Sequence, residues 1–548
     1  MKVSNFSPSI DLFTERKPAP GIEVEPQSPK PKPTTPSFDG NGAGSNDSPR
    51  NGDRSPLSTI AVLPVSNQGF TGNTYLDGIL WGGNYWDSGS SPTVIDYSFW
   101  NSGTEAFDDL YGNITTAAYD WFSAERASML NALNAWAAVA NIQFVDAGDN
   151  QEPATLGFYN IDDAQSGGFL GAFFPPGENG MGIGYFNWQG AGWDFTNGMA
   201  AGSFGYITLI HELGHGLGLA HPHDNGGGSS IYPGVTSPFG SIGTYGLNQG
   251  LYTTMSYNDG LVYSGFDPGT FDYGYQGTPM AFDIAAIQHL YGANTTYNTG
   301  NNTYFLPTVN QGGTLTQPAT MYACIWDAGG VDKISAAGAL GGVTINLNAA
   351  TLNAVADGAG AGGYLSSVTG IFGGYTIANG VVIERADGAN FNDSLIGNAV
   401  ANRLNGLNGN DTISGGGGKD SLIGAIGKDT LTGGSALDNY IYSNLNNSRL
   451  FNYDVITDYA SGEIIDAPAS VIGTVLTAST GNITSLTAAK VSTLLNSGVF
   501  AANTARAFTV NNLPGTFIAL NDAVAGFTAT SDSIIFLQNY TLGAATIA

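Results

Sequence analysis

Residues 211–221 read HELGHGLGLAH, and the spacing of their histidines decides how the surrounding chain folds. His211 and His215 are four residues apart, so on a helix their imidazoles project from the same face. Gly218 can take the positive φ that ends a helix, which would turn the chain and bring His221 back toward the other two rings. Three neutral imidazole nitrogens around one point are a ligand set for catalytic zinc that leaves a position for water. This stretch therefore predicts a helix, a glycine turn and a zinc site.

Glu212, beside the first histidine, is the candidate catalytic residue of this segment. Its carboxylate can take a proton from a water on the zinc, whose pKa the metal lowers from about 15.7 toward ~7, and can then deliver the proton to a leaving amine. Chance placement is a poor alternative, because the chain has five histidines and four of them lie between positions 211 and 223. The spacing requires neither His223 nor His289. We expect the first to be a loop residue and the second a structural residue on a helix.

Patterns on both sides of the histidines predict a mixed sheet with long helices. Residues 123–142 have apolar residues at helical spacing, with Ser123 as the expected N-cap and Leu130 and Leu133 on the expected buried face. Further helices are expected at 206–219 and 281–293, and strands are expected at 143–147, 155–161 and 181–188.

A nine-residue repeat begins at Gly388 and runs for six consecutive units: GANFNDSLI, GNAVANRLN, GLNGNDTIS, GGGGKDSLI, GAIGKDTLT and GGSALDNYI. The units approximate G-G-x-G-x-D-x-U-x, a calcium-binding parallel β repeat in which U is a large apolar residue. Each unit is one turn and one short strand, too small to bury its apolar residue alone. Stacking predicts an inward ladder of Leu395, Leu404, Ile413, Leu422, Leu431 and Tyr440.

Aspartate recurs at the sixth position of five of these units. Stacked turns would align the carboxylates in a column that repels itself unless cations neutralise it. Calcium takes about six to eight oxygens from carboxylates and backbone carbonyls, so the repeat predicts calcium sites and metal-linked folding. An acidic, solvated tail is the alternative, but such a tail would not keep six units in phase. The candidate ligands are Asp393, Gly406, Asn408, Asp411, Gly415, Gly417, Asp420, Gly424, Asp429 and Asp438.

The composition excludes several classes of function. The chain has 44 acidic and 16 basic residues and a formal net charge of -28, so we expect no nucleic-acid partner. No apolar run reaches the ~18 residues that span a bilayer, and the N-terminus lacks the apolar core of a secretory signal peptide. Cys324 is the only cysteine in the sequence, which excludes an intrachain disulfide. Residues 17–55, rich in Pro, Gly, Asn and Ser, predict a disordered leader or a propeptide.

Downstream of the histidines, TTMSYN at residues 253–258 resembles the methionine turn of the metzincin proteases. By that resemblance, Met255 packs beneath the zinc-binding histidines without ligating the metal. Tyr257 matches a tyrosine that, in the serralysin and astacin groups, binds zinc in the resting enzyme and then hydrogen-bonds the tetrahedral intermediate. On their own, a methionine and a tyrosine would be ordinary core residues.

The repeats, with DIAAIQHLYGAN at 283–294 and WDAGGVDKI at 326–334, make the chain similar to serralysins over most of residues 70–445. The resemblance implies a secreted, calcium-dependent zinc endopeptidase with broad protein substrates, exported by a one-step type I secretion apparatus. It also implies additional calcium ligands at Asp327, Gly329, Asp332 and Glu384.

The chain departs from the family at three repeat positions, where Ala389, Phe391 and Asn402 replace two glycines and an aspartate. We therefore expect weak or no calcium binding in the first two turns. The last hundred residues are also unlike the usual serralysin ending.

Together these features predict an α+β fold, with a metzincin zinc protease domain followed by an all-β parallel β-roll of RTX repeats. The expected divisions are a disordered leader or propeptide at 1–65, the protease domain at 66–300, the calcium-binding roll at 301–445, and a β-rich region with the secretion signal at 446–548. We expect a secreted monomer that uses Zn²⁺ and Ca²⁺ to hydrolyse proteins or peptides. The alternative is a non-enzymatic calcium-binding surface or adhesion protein with an inactive protease-derived domain. An exported lipase is disfavoured, because the catalytic region has no G-x-S-x-G motif.

Overall fold

The first part of the chain combines short strands with three longer helices. The computed structural model describes residues 62–102, 119–151, 154–166, 168–178, 180–194, 199–258, 260, 268–353 and 358–548. The elements up to residue 291 are β1 (Val65–Asn67), α1 (Thr74–Asp77), β2 (Asn84–Trp86), β3 (Thr93–Trp100), α2 (Ser123–Val139), β4 (Ile142–Asp146), β5 (Leu156–Ile161), α3 (Asp163–Ser166), β6 (Gly171–Phe173), β7 (Ile183–Asn187), α4 (Phe204–Gly216) and α5 (Ala281–Tyr291). Single 3-10 turns lie at Gly226–Gly228 and Thr244–Gly246.

Five of these strands form one sheet in the order β4-β3-β5-β7-β6. The first four are parallel, and the edge strand β6 runs antiparallel to β7. Helix α2 lies in the crossover from β3 to β4, as a parallel pair requires. It packs on α4, where the indole nitrogen of Trp136 donates to the carbonyl of Ile210 at 3.2 Å. The predicted mixed sheet with long helices is confirmed, as are strands at β4, β5 and β7 and helices at α4 and α5.

The N-terminus of α2 differs from the prediction. Phe122 is the N-cap and Ser123 is the first helical residue, so the assignment of Ser123 as the cap is wrong. Glu125 in the first turn accepts a hydrogen bond from the Phe122 N–H at 2.7 Å, which satisfies one donor of the helix N-terminus. The same buried carboxylate accepts from the Asn160 amide and the Trp193 indole.

The buried face of α2 is also shifted from the predicted one. Met129, Leu133 and Trp136 form the stripe that contacts the core, at i, i+4 and i+7. Leu130 is 39% exposed, so its assignment to the core is wrong. Leu133 lies on both the predicted and the observed apolar stripe of α2. The helix is rotated so that Trp136, which is larger than Leu130, is buried.

From residue 303 onward the described chain is almost entirely strand and turn. The strands are β8 (Thr303–Phe305), β9 (Tyr322–Ile325), β10 (Lys333–Ser335), β11 (Val343–Asn346), β12 (Ser367–Val368), β13 (Gly374–Ile377), β14 (Arg385–Asp387), β15 (Ser394–Ile396), β16 (Arg403–Asn405), β17 (Thr412–Gly417), β18 (Ser421–Ile423), β19 (Thr430–Ser435), β20 (Asn439–Ile441), β21 (Asp454–Ile456), β22 (Ile464–Asp466), β23 (Thr474–Leu476), β24 (Asn482–Ile483), β25 (Ala505–Val510), β26 (Leu513–Leu520), β27 (Ser533–Gln538) and β28 (Ala545–Ile547). Two short helices, α6 (Gly358–Gly362) and α7 (Ala488–Leu494), and a 3-10 turn at Leu445–Asn447 interrupt them.

Successive repeats belong alternately to two sheets. Leu395 pairs with Ile413 and Ile413 with Leu431 in one sheet, while Leu404 pairs with Leu422 in the other. The single predicted ladder is therefore wrong: the six apolar residues form two ladders, each with a period of two repeats. Two nonapeptides make one complete turn of the roll because each unit holds one strand and one reversal. All six side chains are buried, at 0–1% exposure, so the prediction that they point inward is confirmed.

Both sheets continue past the expected boundary at residue 445. β21 pairs in parallel with β19, and β22 pairs in parallel with β20. Strands β24 to β27 extend one sheet and bury a second hydrophobic cluster that includes Phe500, Phe508 and Phe517. Among the described helices, none has both the length and the apolar composition to cross a membrane. The predicted leader at 1–65 lies outside the described residues, apart from 62–65.

Candidate active site and metal sites

Three imidazoles converge at the end of α4. Their Nε2 atoms are separated by 3.2 Å (His211 to His215), 3.3 Å (His211 to His221) and 2.9 Å (His215 to His221). All three side chains are buried, with at most 3% exposure. Gly218 has φ +108° and makes the turn that returns His221, as the sequence predicts. A Cβ at this position would lie 2.3 Å from the Asn84 carbonyl oxygen, so the turn requires glycine for space as well as for conformation.

In each ring, the hydrogen bond made by Nδ1 determines whether Nε2 carries a proton or a lone pair. Nδ1 of His211 lies 2.8 Å from the Thr254 carbonyl oxygen, and Nδ1 of His215 lies 2.9 Å from the Leu219 carbonyl oxygen. A carbonyl oxygen only accepts, so both Nδ1 atoms carry the proton and both Nε2 lone pairs face the common centre. His221 Nδ1 contacts Asp224 Oδ2 at 2.8 Å. This donor set, with its outer hydrogen bonds, fits a divalent zinc ion.

Asp224 was not singled out by sequence reasoning. Burial opposes its ionisation, but hydrogen bonds from the His221 imidazole and a backbone N–H outweigh burial and lower its pKa. The carboxylate therefore remains charged and fixes the orientation of the His221 ring. Among the described residues, His221, His223 and Asp224 form a second group with potential ligand atoms close together, which shares His221 with the triad.

Glu212 is fully buried next to the triad, against the edge strand β6. A Cβ at Gly171 would lie 2.6 Å from the Glu212 Cγ and 2.7 Å from its Oε1. Gly171 therefore leaves the space that the carboxylate occupies, a role that the sequence did not reveal. The contact also places the predicted acid–base residue beside an edge strand.

Met255 is fully buried beneath α4. A Cβ at Gly214 would lie 2.7 Å from the Met255 sulfur, so the thioether packs against the helix between the first two histidines of the triad. The turn is held by Asp283 of α5, whose carboxylate accepts from the Thr253 hydroxyl at 2.6 Å and the Thr254 N–H at 2.7 Å. Burial raises the pKa of Asp283 against these stabilising hydrogen bonds. Its position in the first turn of a mostly apolar helix was the sequence signal for this role.

Tyr257 lies beside the triad, and its ring centre is 4.9 Å from that of His221 and 5.7 Å from that of His211. Its assignment as a zinc ligand stays a prediction. His223 follows the triad in a turn, as expected, but its ring also stacks on His221 at 4.6 Å and lies 4.3 Å from the Tyr257 ring. His223 is therefore part of the wall of the site. His289 lies away from the site, and its Nε2–H donates to the Gly69 carbonyl oxygen at 3.0 Å.

The repeat aspartates form two columns instead of the expected single one. In one, the Asp393 N–H donates to Asp411 Oδ1 and the Asp411 N–H donates to Asp429 Oδ1, each at 2.9 Å. In the other, the Asn402 N–H donates to Asp420 Oδ1 and the Asp420 N–H to Asp438 Oδ1. The first column continues beyond the repeats, because the Asp429 N–H donates to Asp454 Oδ1. Sequence reasoning missed Asp454, which is outside the nine-residue period.

The other oxygen of several of these carboxylates fits a cation site. Oδ2 of Asp411, Asp420, Asp429 and Asp438 is buried, and none has a hydrogen-bond partner among the described residues. Burial, with repulsion from neighbouring carboxylates, raises the pKa of Asp411 and of Asp420 to about 7. The first glycine of each aspartate-containing unit makes room for the carboxylate, as at Gly406, where a Cβ would lie 2.1 Å from Asp411 Oδ2. Gly415 and Gly424 are equivalent, and Asn408 and Gly417 belong to the same turns.

The acidic residues before the repeats also lie together. The Asp332 N–H donates to a Glu384 carboxylate oxygen at 2.7 Å, and Asp327 accepts from the Tyr304 hydroxyl and, at 3.0 Å, the Gly329 N–H. Burial raises the pKa of Asp332 to about 6, with a contribution from nearby carboxylates. The structure therefore brings these four predicted calcium ligands into one cluster.

Comparison with known proteins gives two family matches. The family described as matrixin, of the M10 peptidases, matches residues 113–236, and the family described as the C-terminal part of M10 serralysins matches residues 293–471. The metallopeptidase AprA of Pseudomonas marginalis is 32% identical over 325 residues, which cover 57% of this chain and 62% of that protein. Serralysin of Photorhabdus laumondii is 31% identical over 286 residues, 51% of this chain and 54% of the relative. A serralysin C of Dickeya chrysanthemi is 34% identical over 287 residues, 50% of this chain and 54% of the relative. The chain thus spans between half and two thirds of the length of these relatives.

Proposed function

The chain is a serralysin-like metzincin, and on that premise we propose that it is a zinc-dependent endopeptidase that hydrolyses internal peptide bonds of proteins. The observation that carries the proposal is the convergence of three Nε2 atoms within 3.3 Å of one another beside the buried Glu212. His211, His215 and His221 would hold the ion. When bound, zinc supplies a Lewis acid and a means of making water nucleophilic near neutral pH.

The protein's own groups move the proton and position the substrate. Glu212 takes the proton of the attacking water and passes it to the leaving amine, acting as a general base and then a general acid. Met255, held by Asp283, supports the helix that carries the first two histidines. By resemblance to the family, Tyr257 would bind zinc at rest and donate its hydroxyl hydrogen to the tetrahedral intermediate. Its ring centre lies 4.9 Å from that of His221, which supports a place beside the site.

The edge strand β6 supports an extended peptide as the substrate. Leu170 and Phe174 make backbone hydrogen bonds toward β7, so the alternate residues Gly171 and Phe173 direct their backbone groups away from it. An extended peptide that added to this edge would run past Glu212, which contacts Gly171. Main-chain recognition of this kind explains broad specificity.

Calcium is proposed as the second metal, bound by the aspartate columns of the roll and by the cluster of Asp327, Asp332 and Glu384. Four buried carboxylate oxygens that no described group satisfies support this assignment. Since calcium is scarce in the cytosol and abundant outside cells, the roll would fold after export. We therefore propose secretion through a type I apparatus, with the export signal within 446–548, and a monomeric product. Full-length protein that appears in the culture supernatant of cells with a type I apparatus, and stays inside cells that lack it, would support this route.

Hydrolysis of a quenched casein substrate tests the proposed activity. We expect turnover by the zinc-loaded protein, loss of turnover with a zinc chelator, and a decrease of about 10²–10⁴-fold in kcat for Glu212→Gln with zinc content unchanged. Zinc binding without turnover in the wild-type protein would instead support a non-enzymatic calcium-binding surface or adhesion protein. The intact His211, Glu212 and Tyr257 constellation does not favour that alternative.

A further inference from the structure

We infer that the first two repeat turns, 388–393 and 397–402, are closed by protein hydrogen bonds and take no calcium, so that calcium binding by the repeats begins at the turn 406–411. The inference rests on the proposed calcium role of the roll. It replaces the expectation of weak or no calcium binding in these two turns with none, and it removes Asp393 from the candidate ligands.

The backbone at the second position divides the six turns into two classes. Leu407, Gly416, Ala425 and Gly434 have φ of 75°, 94°, 68° and 99°. The equivalent Ala389 and Asn398 do not have positive φ. For Leu407 and Ala425 the left-handed conformation costs about 1–2 kcal/mol each, so the surrounding turn must favour it.

This difference decides what the sixth residue of each turn contacts. Where φ is ordinary, the second N–H points at the sixth side chain: the Ala389 N–H donates to Asp393 Oδ2 at 2.5 Å, and the Asn398 N–H donates to Asn402 Oδ1 at 2.8 Å. In the four turns with positive φ, Oδ2 of the aspartate is buried and has no hydrogen-bond partner among the described residues. Only the second class leaves a carboxylate oxygen for a cation.

Further side-chain atoms of the first two turns also have protein partners. Asp393 Oδ1 accepts from the Val343 N–H at 2.8 Å, so both of its oxygens have backbone donors. Asn398 donates its side-chain N–H groups to the carbonyls of Leu347 at 3.1 Å and Ile383 at 2.9 Å. Asn402 donates to the Glu384 carbonyl and to the Asn398 side-chain oxygen. The side chains at the second and sixth positions of the second turn therefore present N–H donors, and an N–H cannot ligate a cation.

The roll therefore has a metal-independent end and a metal-dependent body. Strands β14, β15 and β16, which border the first two turns, can pair before calcium is present. They would present a formed edge onto which later repeats stack as each binds its ion.

Two matched substitutions in the full-length protein test this division. Asp393→Asn and Asp411→Asn change the same atom in the same column, 18 residues apart. Bound calcium per chain is measured by atomic emission after equilibrium dialysis. We expect Asp411→Asn to lose at least one ion and Asp393→Asn to keep the wild-type number. Loss of an ion in Asp393→Asn would overturn the inference and leave the calcium role intact, whereas a wild-type protein without calcium would overturn both.

Hydrogen exchange of the wild-type protein gives a second measurement that does not depend on how the variants fold. In chelator, peptides covering 385–405 should remain protected, while those covering 412–441 should exchange at least about tenfold faster. Equal exchange in the two segments would contradict the inference.

Discussion

Replacing Gly171 with alanine is a selective test of how Glu212 is positioned. The new Cβ would lie 2.6 Å from Glu212 Cγ and 2.7 Å from Oε1. Nonbonded carbon atoms prefer separations of about 3.5–4.0 Å, so the carboxylate must move by about 1 Å. The backbone is not the obstacle, because Gly171 does not have positive φ. The Glu212 side chain is expected to yield, since strand β6 is held by its pairing with β7.

The expected effect follows from that displacement. A misplacement of about 1 Å in a catalytic group costs about 10²-fold, close to the lower end of what a general base contributes. We therefore predict a fall of about 100-fold in kcat/KM, or ~2.7 kcal/mol of transition-state stabilisation. Zinc content should be unchanged, because the displaced group is not a ligand in the proposed site.

The assay is steady-state cleavage of a quenched peptide, with zinc measured on the same samples. Gly300→Ala is the matched control, because a Cβ there would meet no heavy atom within 4 Å and the residue does not have positive φ. The control should retain wild-type activity. Activity of the Gly171 variant within about threefold of wild type, with zinc intact, would refute the placement of Glu212 against β6.

Three further changes probe the turns and the roll. Gly218→Ala places a Cβ 2.3 Å from the Asn84 carbonyl oxygen at a residue with positive φ. Zinc affinity should therefore fall by at least about tenfold as His221 is displaced. Unaltered affinity in a chelator competition would contradict the role of this turn in placing His221. Asp283→Ala leaves the buried donors of Thr253, Thr254 and Met280 without their acceptor. The free energy of unfolding should therefore fall by about 3 kcal/mol. A thermal midpoint equal to that of wild type would contradict the role of Asp283 in holding the turn. Burial raises the pKa of Asp411 and Asp420 to about 7 in the folded state. The calcium-free roll should therefore be most stable below the unfolded pKa near 4 and should lose that stability as pH rises through about 7. Circular dichroism melts in chelator that show a roll more stable at pH 8 than at pH 5 would contradict this.

Short-range patterns in the sequence were sufficient for the histidine triad and for the repeats. The spacing of His211, His215 and His221 around Gly218 determines a helix, a reversal and a common centre, and each step follows from local geometry. The period of nine likewise predicts short stacked strands. It does not tell how many repeats complete one turn of the roll, which depends on how the strands divide between two sheets.

The features missed by the sequence depend on contacts between distant segments. Gly171 meets Glu212 only when the edge strand folds over α4, and Asp283 reaches Thr253 across 30 residues. Asp454 joins the aspartate column after a 25-residue interval that breaks the period. The error at Ser123 is local: the helix includes Ser123, and the first-turn carboxylate of Glu125 bonds the N–H of the apolar cap residue Phe122.

Zinc K-edge X-ray absorption of the purified, active protein would examine the proposed centre itself. We expect one zinc per chain with three imidazole nitrogens at ~2.0–2.1 Å, and the loss of one imidazole ligand in His221→Ala. Active protein without stoichiometric zinc, or a zinc ion with fewer than three imidazole ligands, would contradict this expectation.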